Sequence, residues 1–212
     1  MTSNRFYLAC LRDNVGSNVS FHAKAGRGYT SDLDKAEIYT QAGAQAAWNR
    51  GRSFDQPLCA NQVDKLAIWK VDCQYIPCES EMPEGVHRFV GFMKGRWDGN
   101  DVYWLQEDGR PTINFQQASV FSKPIDNDNE VWMPFITAEK AKRRTFNSYM
   151  INRNTLVQGA GLVTPGHIKR YRRRKESDKT RFNCHGCGQI VWQENPHDFN
   201  GCKNKSCEEF RI

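Results

Sequence analysis

Long apolar runs are missing from this 212-residue sequence: no stretch approaches the roughly 20 consecutive apolar residues that a membrane helix needs. The opening residues, MTSNRFYLACLRDN, also lack an apolar run followed by a small-residue cleavage site. The expectation is a soluble chain with no membrane partner that is not exported and works in the cytoplasm. There is no phosphate-cradling Gly-Lys-Ser/Thr loop, no nucleophile elbow and no His-Glu-x-x-His. Histidine is scarce, at five, and none is paired with a second histidine or a carboxylate at metal spacing, which argues against a catalytic metal. Asp32, Asp34, Asp126 and Asp128 fall in turn-like segments, where caps and turns are the usual role. These absences point away from an enzyme; a nuclease assembled from scattered carboxylates is the alternative they leave open.

What is present is foldable. Hydrophobic residues make up 39% of the chain and aromatics 12%, too much apolar material for a disordered protein. The formal net charge of +6 is unevenly spread. Residues 1–137 carry 14 Lys and Arg against 17 Asp and Glu, leaving −3, and residues 182–212 carry 3 against 4, leaving −1. Residues 138–181 carry 13 against 3, leaving +10, so the positive charge is a single block.

The first 135 residues contain an internal repeat. At a constant offset of 83, Arg5/Arg88, Phe6/Phe89, Gly16/Gly99, Val19/Val102, Gly26/Gly109 and Arg27/Arg110 are identical, and Phe21 faces Trp104. With a one-residue deletion the match continues through Ala36/Ala118, Tyr39/Phe121 and Thr40/Ser122. Each copy reads as strand, turn, strand, turn, with Gly, Asn and Asp where a hairpin needs them. The first copy continues with a helix over TQAGAQAAWNRG and a returning strand over KLAIWKVD. The second has NEVWMPFI in the returning place, and its connection KPIDNDNE is too short for a full helix. The prediction is two duplicated small antiparallel-sheet and helix modules, residues 1–80 and 84–137, an α+β arrangement of the kind used as a binding scaffold. Cys10, Cys59, Cys73 and Cys78 lie here; buried free thiols are the simpler reading, and a metal held by Cys73 and Cys78 with Cys59 or His87 is the alternative.

Residues 138–181 read as a basic helical connector. Thr137 stands at an N-cap position with Glu139 in the first turn, predicting a helix from about Ala138 to Ile151. Three glycines and a proline in VQGAGLVTPGH break it, and Thr164 with Pro165 can start a second helix. That segment holds Lys169, Arg170, Arg172, Arg173, Arg174 and Lys175, interrupted only by Tyr171. Six cations in seven positions cannot all enter a core, since unpaired burial costs several kcal/mol each. They face water or a polyanion, and arginine's planar fork suits phosphate and bases. A nuclear-localisation signal shares this composition.

Residues 182–212 carry the other four cysteines as Cys184-x2-Cys187-x14-Cys202-x4-Cys207. Two close pairs separated by a hairpin's length is the arrangement that a tetrahedral Zn²⁺ takes, and a reducing compartment disfavours disulfides. A thioredoxin-like redox pair lacks its βαβ context. The expectation is one structural Zn²⁺ on Cys184, Cys187, Cys202 and Cys207, with His185 or His197 as possible replacements for one sulfur.

The segment CHGCG … FNGCKNKSC resembles the C-terminal four-cysteine zinc ribbons of type IA DNA topoisomerases, matching at Cys184, Cys187, Gly188, Phe199, Gly201, Cys202, Asn204 and Cys207. The resemblance covers about thirty residues and nothing upstream is similar to a topoisomerase core. It implies binding of single-stranded DNA, with Trp192 and Phe199 stacking on bases and Lys203 and Lys205 near the backbone. The ribbon departs from the family in being slightly acidic, which shifts the expected phosphate contacts onto Lys169 to Lys175. The stretch RGYTSDLDKAEIYT is similar to small phage-encoded modules of no assigned activity. The sequence thus predicts a non-catalytic, zinc-containing nucleic-acid-binding protein, single-stranded DNA favoured. The alternative is a regulator or inhibitor that docks on a host protein partner.

Overall fold

The computed structural model describes residues 5–124, 127–172, 179–194, 197 and 199–211; for residues 170–172 only the backbone is described. The chain forms two compact units, Met1–Pro165 and Gly166–Ile212. It is α+β, built from short helices and several small antiparallel sheets. No helix among the described residues is long and apolar enough to cross a membrane.

In the first unit β1 (Arg5–Val15) and β2 (Asn18–His22) make a hairpin, extended by β3 (Tyr29–Thr30). A 3-10 turn at Leu33–Lys35 follows, where Asp32 accepts the Asp34 N–H at 3.0 Å. Next come β4 (Tyr39–Thr40) and α1 (Gln41–Arg50), whose N-cap Thr40 accepts the Gly43 N–H at 3.1 Å. Then follow β5 (Asp55–Cys59), α2 (Ala60–Leu66) and β6 (Ile68–Val71). Strand β1 is central, with β2 and β4 along one edge and β5 along the other.

The same succession recurs. Strands β7 (Phe89–Asp98) and β8 (Asp101–Trp104) make the hairpin, and Thr112 bridges Trp104 as β3 bridges β2. A 3-10 turn at Phe115–Gln117 is capped by Asn114, and Phe121 bridges Phe89 in the place of β4. No helix follows in 122–124 or 127–129; β9 (Glu130–Pro134), α3 (Phe135–Ala141) and β10 (Lys142–Thr145) complete the set. The returning place therefore belongs to β10. Within NEVWMPFI, Glu130–Pro134 forms β9, the counterpart of β5, which pairs with β7 from Phe89↔Pro134 to Met93↔Glu130, and the last two residues begin α3.

The two modules interlock through their last strands. Strand β6 pairs with β10, not with its own sheet, in the register Ile68↔Thr145, Trp69↔Arg144, Lys70↔Arg143 and Val71↔Lys142. The exchange is reciprocal. Asp72 bridges Asp101 in the second hairpin while Asn147 bridges Asn18 in the first. The Cys73 N–H donates to the Asn100 carbonyl at 2.9 Å, and the Ser148 N–H to the Ser17 carbonyl at 2.8 Å.

This pairing overturns the helix expected from Ala138 to Ile151. Helix α3 starts at Phe135 after Pro134, with no side-chain cap from Thr137, and stops at Ala141. The cations after it are spent on ion pairs with distant carboxylates. Arg143 reaches Asp101 at 2.5 Å and Asp72 at 3.7 Å, and Arg144 reaches Asp34 at 2.6 Å and Asp64 at 3.3 Å. The second module thus extends past residue 137, and no separate connector begins at 138. The first unit continues in packed chain after β10. Leu156, Val157, Ala160 and Leu162 are buried, and Gln45 of α1 exchanges two hydrogen bonds with the backbone of Val163 at 2.8 and 2.9 Å.

The hairpin turns meet back to back where the modules interlock. Gly16 and Gly99 both have positive φ, +60° and +63°. A Cβ on Gly99 would stand 2.7 Å from the Gly16 nitrogen, and one on Gly16 would strike the backbone of Asp98 and Gly99. A side chain at residue 16 therefore meets both left-handed strain and immovable backbone. We expect Gly16→Ala to lower the unfolding free energy of the first unit by about 3 kcal/mol in chemical denaturation; a loss under about 1 kcal/mol would contradict the close approach.

Candidate metal centre

In the second unit, α4 (Gly166–Arg172) precedes a hairpin of β11 (Thr180–Asn183) and β12 (Ile190–Gln193), paired from Thr180↔Gln193 to Asn183↔Ile190. The hairpin's tip is the first cysteine knuckle. The Cys184 N–H donates to the Gln189 carbonyl at 2.9 Å and the Gly188 N–H to the Cys184 carbonyl at 2.8 Å. The second knuckle is closed by Cys207 N–H to Asn204 carbonyl (3.0 Å) and Cys202 N–H to Glu209 carbonyl (2.7 Å). The Asn204 N–H points at the Cys202 sulfur, 3.4 Å away. The knuckles fit closely: a Cβ on Gly186 would lie 3.1 Å from the Cys207 sulfur.

All four sulfurs lie within 4.8 Å of one another, with Cys184 to Cys207 at 3.5 Å and Cys187 to Cys202 at 3.6 Å. Disulfide sulfurs would be about 2.05 Å apart. A metal with four thiolates at about 2.3 Å has tetrahedral edges of about 3.8 Å, so the cluster fits a metal ion. It is the only such group among the described residues; neither His185 nor His197 belongs to it. Cys184 and Cys202 are buried, Cys207 is half-buried and Cys187 is exposed.

The thiols perturb one another. The backbone hydrogen bond at Gln189, opposed by burial and helped by the other three sulfurs, brings the Cys187 thiol down to about 7. At Cys207 a backbone hydrogen bond at Glu209 works downward, but burial and the other three sulfurs outweigh it and push the thiol up to about 12. Sulfurs this close cannot all be anionic without a cation among them, and that cation is what four thiolates would hold.

Around the centre the structure separates the two aromatic candidates. Trp192 is exposed, as is Ile190 two residues before it on β12. Together with Lys179, Gln189, Val191 and Lys203 they line a shallow groove of about 300 Å³. Phe199 is instead half-buried against the cysteine cluster, edge-on to His185 at 5.3 Å, so it serves the core and offers no open stacking face. Lys205 and Lys169 are exposed. Arg170 and Arg172 lie on α4, while Arg173, Arg174 and Lys175 lie outside the described residues. Ile190 and Lys179 were not among the sequence-based candidates. The alternation of QIVWQ, which places Ile190 and Trp192 on one face, is the signal that marks Ile190.

In the first unit Cys10 and Cys59 are core residues, and no metal-ligand group forms around Cys73 and Cys78 among the described residues. A polar cluster that the sequence did not flag joins His22 to the buried Asp55 at 3.2 Å, with Arg52 binding both Asp55 oxygens at 2.8 and 3.1 Å. No family model, curated protein or solved structure matches the chain, so the likeness of its last thirty residues to topoisomerase ribbons rests on those residues alone.

Proposed function

We propose that this is a non-catalytic nucleic-acid-binding protein, with single-stranded DNA favoured, whose terminal module is folded around one Zn²⁺. Zinc is the ion that four thiolates in a tetrahedral set select, with no coordination position left for substrate. The observation that carries the reading is the exposed Trp192 and Ile190 groove flanked by Lys179 and Lys203. An open indole beside cations is the pairing that stacks on a base while holding the neighbouring phosphate. Lys169 to Lys175 supply further phosphate contacts in the proposal. Arg143 and Arg144 do not, because they are held in ion pairs. The carboxylates in the first unit's interior are likewise held in ion pairs and hydrogen bonds, which supports a role without catalysis.

A second reading draws on the same groove. Trp and Ile exposed side by side also make an anchor for a protein, so docking on a host protein competes with nucleic acid for this surface.

A salt titration decides between them. Binding of an oligothymidine to the zinc-loaded chain should weaken with log salt at roughly −0.7 per phosphate contact, on the order of −3 to −4 for five contacts. Trp192→Ala should cost about 1–3 kcal/mol in affinity while leaving the slope unchanged, because stacking carries no counterion. Undetectable binding at about 50 mM salt, where electrostatic contacts are strongest, would overturn the nucleic-acid reading.

A further inference from the structure

The two modules differ most where the first carries α1 and the second does not. Helix α1 packs against β1, β4 and β5 and buries Ala44 and Trp48. The counterparts of those three strands are β7, the Phe121 bridge and β9. In the second module they border an open cleft of about 690 Å³. Met93 of β7, Leu105, Phe121 and Trp132 of β9 give it an apolar lining, and Lys123 and Glu130 add charge at the same opening.

Two replacements reshape this surface. Leu8 of the first module becomes Gly91, and Pro57 becomes Trp132. A Cβ on Gly91 would lie 2.8 Å from the Trp132 ring, so the indole lies against the glycine, with Phe121 edge-on at 5.1 Å. Among the described residues, the tryptophan closes part of the space that the missing helix vacates and leaves the rest open. Its indole N–H is buried and has no hydrogen-bond acceptor among the described residues. Of the His22 and Asp55 pair only the carboxylate has a counterpart here, Glu130, since Leu105 stands in the place of His22.

We propose that this cleft docks one amphipathic α-helix of a partner protein, seated on β7, the Phe121 segment and β9 as α1 is seated on the first module. The first module supplies the argument for the occupant. The same three-strand frame is completed there by a ten-residue helix presenting a small residue and, four positions later, an aromatic one. Helices that lie in apolar grooves are recognised through side chains at that spacing. The proposal does not depend on the zinc module or on nucleic acid.

The test uses the full zinc-loaded chain and a displayed library of helical peptides of about 15 residues, long enough to hold a helix, with a small residue and an aromatic four apart on one face. Enriched helices are expected to bind the wild type. They should lose at least about tenfold in affinity against Leu105→Glu, which places a charge in the apolar lining. Lys123→Glu, an exposed change that leaves the fold alone, should shift the salt dependence of the same peptides. The proposal is overturned if no helix enriches, if extended peptides enrich instead, or if enriched helices bind both variants as they bind the wild type. Self-association of the chain that Leu105→Glu abolishes would overturn it in favour of a second copy as occupant.

Discussion

Removing the metal is expected to unfold the cysteine module outright. With a strong chelator, or with Cys202→Ser, the β11–β12 hairpin should lose its amide-exchange protection and Trp192 its fixed surroundings. The Met1–Pro165 unit should keep its own melting transition. The reason is the size of the core. Among the described residues its buried members are Cys184, Val191 and Cys202, joined by the half-buried Phe199 and Cys207, so three of its five side chains are cysteines of the candidate metal site. Little apolar area remains to offset the entropy of ordering some thirty residues, at about 1–2 kcal/mol for each backbone. A structural zinc supplies about 10–16 kcal/mol in small modules at neutral pH, which closes that gap. Cys202→Ser, at a fully buried sulfur that also receives the Asn204 N–H, should cost more affinity than Cys187→Ser at the exposed corner. Metal analysis together with exchange measurements checks this. Less than about one zinc per chain, or a hairpin that stays protected in chelator, would contradict a metal-built module.

The module was legible because its information is local. Ligand spacing, knuckle glycines and a hairpin's length all fall within thirty residues, and a tetrahedral ion leaves few ways to arrange them. The β1–β2 and β7–β8 hairpins were legible for the same reason, through the turn residues at Gly16 and Gly99. Strand β5 was missed because DQPLC shows no alternation. All five of its residues are buried, and Pro57 is tolerated because among the described residues β5 is an edge strand paired only with β1. Strand β10 was missed for a different reason. KRRT reads as a solvated helical run until Asp101, Asp72, Asp34 and Asp64 arrive from other parts of the chain to neutralise it. The repeat predicted two modules but not that each would lend its last strand to the other, because pairing between β6 and β10 leaves no trace in either strand's own pattern. The short KPIDNDNE connection foretold the missing helix but not the cleft, whose walls Met93, Leu105, Phe121 and Trp132 are brought together only by the strand pairing.

Lys70→Met should be the most damaging substitution in the first unit, costing about 3–5 kcal/mol by the usual measure of a broken buried pair. Lys70 is completely buried on β6, at the junction of the two modules. Its ammonium reaches Asp98 at 2.7 Å, the Ser17 hydroxyl at 2.9 Å and Asp101 at 3.9 Å. Asp101, fully buried, is also held by Arg143 and by the Asn18 amide at 2.6 Å, so removing Lys70 leaves Asp101 paired. Among the described residues Asp98 keeps only Ser17, through its N–H at 2.7 Å and its hydroxyl at 2.5 Å. The pH dependence should separate this charge effect from simple loss of packing. In the wild type, burial pushes the Asp98 carboxyl up, but Lys70 and Ser17 more than reverse it and hold it below the usual carboxylate value. A depressed folded value contributes stability above the unfolded value of about 3.9 that is lost as pH falls through the folded one. The contribution of Asp98 should therefore be lost only in strong acid. Without Lys70 the desolvation dominates and Asp98 should titrate above its unfolded value, so the sign reverses. In the wild type only Asp101 of this cluster, raised by burial despite Arg143, Asn18 and Lys70, favours acid, so on acidification from about pH 6 to 4 the variant should gain more stability than the wild type. Adding Asp98→Asn to Lys70→Met should recover part of the loss and shrink that gain to what Asp101 supplies. Equal acid profiles for wild type and Lys70→Met, followed by denaturant unfolding across this range, would show that the lysine serves only to fill space.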